Sequence, residues 1–263
     1  MSVASPSYHP NILLGKEGHI TTITIDSPET KNACTGDMWV ALGATFRDVA
    51  FSGARVIVLT GAGGDFCAGA NLSGGGGPSS HMLHSMRVLG DVVLAVHDCP
   101  VPVVAKVDGV CVGAGLGLAL ACDMIWSSDR ARFSAIFAKR GLSLDFGTSW
   151  LLGQRVGISK AKELALTGKI INAADALRIG LVNAVAQVGE LDQATREIVD
   201  AIAAGPPLAL SMTKRELNAA PQFSLAQALE VEALAQSVNV ETDDTKEALA
   251  AYSQRRTPNF SGR

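Results

Sequence analysis

Two runs of small residues, Cys67-Ala68-Gly69-Ala70-Asn71 and Gly113-Ala114-Gly115-Leu116-Gly117, each follow an apolar, β-branched stretch, Val56 to Leu59 and Val103 to Val107. Where a strand ends in glycine and alanine, no side chain covers the backbone N–H groups. Two such donors converging on one point form an oxyanion hole, which stabilises negative charge developing on a carbonyl oxygen. Other residue types that could react are read more plainly. The five cysteines, Cys34, Cys67, Cys99, Cys111 and Cys122, form no Cys-x-x-Cys pair and read as reduced, mostly buried thiols. Cys67 and Cys111 flank the two runs, yet without a neighbouring histidine or cation they read as small hydrophobes. His81 and His84 stand three residues apart, a spacing that suits metal binding, but no further ligand cluster accompanies them, so no metal site is expected. The Gly61-Ala62-Gly63-Gly64 turn and the glycine run in 73–80 are not phosphate loops, because no Gly-Lys-Ser/Thr ending follows.

The elements that must position these residues alternate through the first half. Ile20 to Ile25 alternates apolar side chains with threonine and predicts a strand, and Ser27-Pro28 turns the chain. Thr35 can cap a helix running to about Phe51, with Met38, Leu42 and Phe46 as its apolar stripe. Strands are predicted at Arg55 to Thr60, Val103 to Val107 and Met124 to Ser127, and helices at Ser80 to His97 and Gly115 to Ala121. The recurrence of strand, strand, helix suggests stacked ββα units. Ser73 to Ser80 reads as a flexible loop of the kind that covers a site. Beyond about Leu191 strand signals vanish, and helices are predicted over 191–204, 206–219, 224–240 and 242–255, with Pro206 in a first turn and Pro221 as a break. Two regions are therefore expected, a core over 1–190 and a helical region over 191–263.

Bulk properties remove whole classes of function. Of 263 residues, 48% are hydrophobic and 18% charged, which excludes disorder. A net charge of −3 leaves no basic footprint for nucleic acid. No stretch approaches the roughly 18 uninterrupted apolar residues of a membrane span. The N-terminus lacks the blocks of a signal peptide, and the expected location is cytoplasmic.

The ordered set Val56-Ile57-Val58-Leu59-Thr60-Gly61, Phe66 to Leu72, Val107-Asp108-Gly109, Gly113-Ala114-Gly115 and Leu118 to Asp123 resembles the crotonase, or enoyl-CoA hydratase/isomerase, superfamily. Phe133, Gly141-Leu142, Leu164 to Gly168, Ala173 to Ala176, Gly180-Leu181-Val182 and the Arg256 to Phe260 tail agree with it. The resemblance implies an α/β fold with a ββα spiral core, a helical C-terminal region that builds a homotrimer or a dimer of trimers, and an acyl-CoA thioester as substrate. Coenzyme A then belongs to the substrate, and no other cofactor is expected. The resemblance maps the oxyanion donors to the N–H groups of Ala70 and Ala114. It maps substrate contacts to Lys31 and Ala33 in the loop lining the pantetheine and adenine region, and to Ala68, Gly69, Asn71, Leu72, Gly113, Gly117 and Phe137. Lys31 could meet a phosphate or simply be solvated. Asp123 reads as a residue that orders the core.

Two departures decide the expected chemistry. Hydratases of the family carry two water-handling glutamates, and this chain has Gly117 and Phe137 at the matching places. Neither can transfer a proton. A carboxylate does stand at Asp145, in a Gly-Leu-x-x-Asp setting similar to that of certain isomerases of the family. As acid/base it would move a double bond without water; as a plain structural residue it would cap the helix that follows. The Asp145-Phe146-Gly147-Thr148-Ser149 segment is also similar to that of aryl-CoA dehalogenases, which would require a histidine such as His81 or His84. A hydratase and a silent acyl-CoA-binding protein are the remaining alternatives to the isomerase.

Overall fold

The computed structural model describes residues 9–71 and 81–263; Leu72 and the Ser73 to Ser80 loop lie outside them. The chain opens with a hairpin, β1 (Ile12–Glu17) and β2 (Ile20–Ile25), whose strands pair antiparallel. Then come α1 (Gly36–Val49), β3 (Val56–Gly61), α2 (Met82–His97), β4 (Val103–Val107), β5 (Val110–Val112), α3 (Ala114–Ala121), β6 (Met124–Ser128) and β7 (Arg132–Ser134). Further on lie α4 (Thr148–Val156), α5 (Ile158–Thr167), β8 (Ile171–Asn172), α6 (Ala173–Arg178) and β9 (Ala184–Ala186). The described chain ends in four helices, α7 (Leu191–Ala203), α8 (Pro207–Ala219), α9 (Leu225–Asn239) and α10 (Asp243–Gln254).

The strands form a six-stranded sheet ordered β1-β2-β3-β4-β6-β9 and a three-stranded sheet ordered β5-β7-β8. From β2 onward the large sheet is parallel. The chain alternates between the sheets, with β4 and β6 in the large one and β5 and β7 in the small one, which gives the ββα spiral that the sequence resemblance implies. The short strands of the small sheet escape sequence reading because two or three residues carry no period.

Both faces of the large sheet are covered. Ile57 and Leu59 of β3 enter the main core with Met38, Leu42 and Phe46 of α1, whereas Val56, Val58 and Val104 pack against Val199 and Ile202 of α7. Four consecutive buried apolar residues in β3 follow from that, since a parallel strand has no solvent face. The cap expected at Thr35 is present, its hydroxyl accepting the Met38 N–H at 3.3 Å. Pro206 stands at the N-cap of α8 and Pro207 takes the first helical position.

Candidate active site

α3 is eight residues long and buried along its whole length, a helix of glycine, alanine and leucine that only a core can hold. Its N-cap is Gly113, at φ 58° and ψ −127°, which brings no side-chain oxygen to the first turn. The first N–H, that of Ala114, is therefore an orphan donor at the positive end of the helix.

The other small-residue run packs directly on this helix start. Cys67 and Cys111 form a parallel bridge, and the Val112 N–H donates to the Cys67 carbonyl at 3.1 Å. A Cβ at Gly69 would stand 3.2 Å from the Ala114 nitrogen and 3.1 Å from the Val112 oxygen, and Gly69 has φ 93°. Only glycine takes that backbone so close to a neighbouring chain. Ala70, the next residue, is exposed, and among the described residues no hydrogen bond engages its N–H or that of Ala114. The tertiary fold thus brings Gly69, Ala70, Gly113 and Ala114 together.

The 27–33 loop supports the first run through its backbone. Lys31, at φ 54°, accepts the Ala68 N–H on its carbonyl at 3.0 Å, while its side chain is exposed. Ala33 is buried, and Cys34 bridges to Ala70: its N–H donates to the Gly69 carbonyl and its carbonyl accepts the Asn71 N–H, both at 2.9 Å. Asn32 is fully buried at φ 58° and ties the loop together, accepting the Ser27 N–H and donating to the carbonyls of Ala62 and Asp65. Sequence reading missed Asn32, although asparagine tolerates left-handed backbone and often marks such a turn.

The 145–148 loop lies over the first turn of α3. A Cβ at Gly117 would meet the Phe146 carbonyl oxygen at 2.5 Å and the Thr148 hydroxyl at 2.9 Å. Gly117 is thus both free of a carboxylate and roofed by backbone. Phe146, at φ 51°, stacks at a tilt on Trp39 with ring centroids 4.5 Å apart. Phe137 is buried, and its carbonyl accepts the Leu142 N–H at 3.1 Å, linking the 136–140 turn to the loop before Asp145.

Asp145 does not cap α4. Gly147 occupies the N-cap without a side-chain bond, and Asp145 engages the helix only through its backbone carbonyl, which accepts the Thr148 N–H at 3.0 Å. The capping alternative is corrected here, because the carboxylate remains unspent: its Oδ1 is closed to water and has no hydrogen-bond partner. Burial raises its pKa above the ordinary carboxylate value. The Thr148 hydroxyl and Trp39 Nε1 are also buried without a partner, so unpaired polar atoms collect around Phe146. Thr148 is a second site residue the sequence did not single out.

Other candidates are employed elsewhere. His81 and His84 are exposed, and His81 stands at the N-cap of α2 with Nδ1 accepting the Leu83 N–H at 3.2 Å. Among the described residues no cluster of His, Cys, Asp and Glu could hold a metal. Asp123 accepts the Val103 N–H at 2.6 Å and pairs with Lys214 of α8 at 2.8 Å, an ordering role. A cleft of about 550 Å³ between α8 and the core is lined by Asp123, Met124, Trp150 and Lys214 and contains no residue of the two small-residue runs.

The family model described as enoyl-CoA hydratase/isomerase matches residues 15–263. The chain is 33% identical over 252 residues to the short-chain-enoyl-CoA hydratase of Clostridium acetobutylicum, covering 94% of this chain and 95% of that protein. It is 31% identical over 258 residues to the 1,2-epoxyphenylacetyl-CoA isomerase of Escherichia coli, covering 96% and 98%. The crystal structure of an enoyl-CoA hydratase from Bacillus anthracis superposes with a TM-score of 0.92 at 29% identity, covering 96% of this chain and all of that one.

Proposed function

The chain belongs to the enoyl-CoA hydratase/isomerase family and is an acyl-CoA enzyme, and from that premise we propose that it shifts a carbon–carbon double bond within an acyl-CoA thioester. Asp145 takes a proton from C2 of a 3-enoyl thioester. The electron pair moves into a dienolate whose oxygen receives the N–H groups of Ala70 and Ala114. Protonated Asp145 then returns the proton at C4, leaving the conjugated 2-enoyl thioester and a regenerated carboxylate. No water enters the balance.

The observation that carries this reading is the buried, unpartnered Oδ1 of Asp145 in a loop packed on the first turn of α3. Amides oriented toward a developing charge stabilise an enolate oxygen, each by about 3 kcal/mol. A carboxyl group with a raised pKa is suited to both removing and returning a proton. Gly117 and Phe137 offer water no carboxylate. Ala33, Ala68, Asn71, Leu72 and Gly113 complete the proposed contacts to the thioester, and the Lys31 ammonium is assigned to a phosphate of coenzyme A. The working unit is a homotrimer or a pair of trimers.

The test is conversion of 3-hexenoyl-CoA to 2-hexenoyl-CoA by the purified protein and by Asp145→Asn. A fall of about 10²- to 10⁴-fold in kcat is expected, the usual contribution of a positioned acid/base. Full isomerase activity in Asp145→Asn overturns the assignment. Hydration of 2-hexenoyl-CoA at ordinary rates, retained in that variant, establishes the hydratase instead.

A further inference from the structure

Cys67 touches both of the small-residue runs. Its Sγ accepts the N–H of Gly69 at 3.4 Å and lies 3.9 Å from the Gly69 carbonyl oxygen. Its own carbonyl accepts the Val112 N–H at 3.1 Å. A Cβ at Gly115 would stand 2.2 Å from the Cys67 oxygen and 2.9 Å from the Cys67 Cβ, so the start of α3 rests on this residue. Across the bridge, Cys111 Sγ donates to the Gly115 carbonyl at 3.5 Å. Cys34, in contact with the Cys67 thiol, brackets Ala70 through its backbone. Cys34, Cys67 and Cys111 are all buried and free.

A thiol buried this way is a poor nucleophile but a wide, soft acceptor. Its long C–S bond and large radius let it take an N–H at 3.4 Å, where a hydroxyl would bond more weakly. Without it the Gly69 N–H is buried with no acceptor, and the Ala68–Gly69 peptide that carries it is free to turn, which releases the φ of 93° at Gly69. That φ sets the direction of the next peptide, which carries the Ala70 N–H and rests its Gly69 carbonyl on the Cys34 N–H.

We propose that Cys67 is a positioning residue for the oxyanion donors, its thiol holding the Ala68–Gly69 peptide and so the backbone turn at Gly69 from which the Ala70 N–H projects, while its backbone and Cβ seat the start of α3. The proposal rests on the oxyanion reading of Ala70 and Ala114 and is independent of which proton transfer follows.

The test is difference infrared spectroscopy of cinnamoyl-CoA, labelled with ¹³C at the thioester carbonyl, bound to the full-length wild type, Cys67→Ser and Cys67→Ala. Polarisation by the two donors lowers the carbonyl stretch on binding. The expected order of that lowering is wild type, then Cys67→Ser with more than half of it kept, then Cys67→Ala with less than half. With 3-hexenoyl-CoA, kcat in Cys67→Ala is expected to fall roughly tenfold at unchanged KM, short of the about 10²- to 10³-fold lost when a donor is removed outright. A wild-type carbonyl frequency in folded Cys67→Ala overturns the proposal. If Cys67→Ala does not fold, Cys67→Ser decides, and an unchanged frequency there overturns it equally. A wild-type protein that binds cinnamoyl-CoA without lowering the stretch overturns the oxyanion assignment itself. Lowered stretch without isomerase turnover leaves Cys67 in place and removes only the isomerase reading.

Discussion

Asp145 holds one carboxylate oxygen closed to water and without a donor, and a carboxyl group held that way favours its protonated form. Its pKa in the folded protein is raised by burial, so its contribution to stability is present below the unfolded value, about 4, and is lost as pH rises through the folded value. Asp145→Asn is therefore expected to melt higher than wild type at pH 8, with the gain shrinking toward pH 4; thermal melts at the two pH values check this. The same shift sets activity in the opposite sense, since the base must be ionised. In wild type, kcat/KM is expected to rise with pH along an acid limb above pH ~4, and that limb should vanish in Asp145→Asn. Gly117 supplies a second residue-scale prediction. A side chain there meets the Phe146 carbonyl oxygen at 2.5 Å, and backbone cannot swing aside as a flexible side chain would. Gly117→Glu is thus expected to destabilise by about 1–3 kcal/mol in urea unfolding, and to gain no hydratase activity.

At the scale of elements, the site is where a buried helix start, a turn after β3 and the 145–148 loop meet. α3 can be buried whole because its side chains are small and apolar, and its uncapped first turn is left for a ligand oxygen. The helix α8 is tied to this framework through Lys214, its one buried residue. Its ammonium on α8 pairs with Asp123 at 2.8 Å, and Asp123 in turn accepts the first N–H of β4. Removing one partner strands the other in a largely dry place. Lys214→Ala is expected to cost about 3 kcal/mol, the lower end for a broken buried pair because Asp123 keeps some contact with water. Urea unfolding monitored by tryptophan fluorescence measures it.

For the whole molecule, α9 is the element least accounted for by a single chain. None of its residues is buried, and Leu225, Leu229, Leu234 and Val238 are all more than half exposed. Leu225 and Leu229 project from one side of the helix and Leu234 and Val238 from the other, and exposed apolar surface of this extent marks a place that another chain covers. With the proposed trimer, Leu229→Glu combined with Leu234→Glu is expected to shift the sedimenting species from trimer to monomer. A wild type that sediments as a monomer, or a double variant that stays trimeric, removes α9 from the interface.

Fold class and most of the long elements, though not β1 or α5, were legible in the chain from local signals: the stripe Met38, Leu42, Phe46 and the buried run of β3 repeat a pattern, and Pro206 and Pro221 mark breaks among the last four helices. The two small-residue runs were legible because only glycine and alanine leave amides bare. The absence of the two glutamates, with Gly117 and Phe137 in their places, was legible through the family resemblance. Tertiary structure alone decided what those residues meet. Gly69 and Gly115 are glycine because Ala114 and Cys67, distant in sequence, press against them. The Asp145 carboxyl could equally have capped α4; packing of Phe146 on Trp39 and of the loop on Gly117 left it half-buried, with Oδ1 unspent, instead. Cys67 read as one more small hydrophobe until the fold placed its sulfur against the Gly69 amide. Periodicity is a property of neighbours along the chain, whereas a donor without an acceptor is a property of neighbours in space.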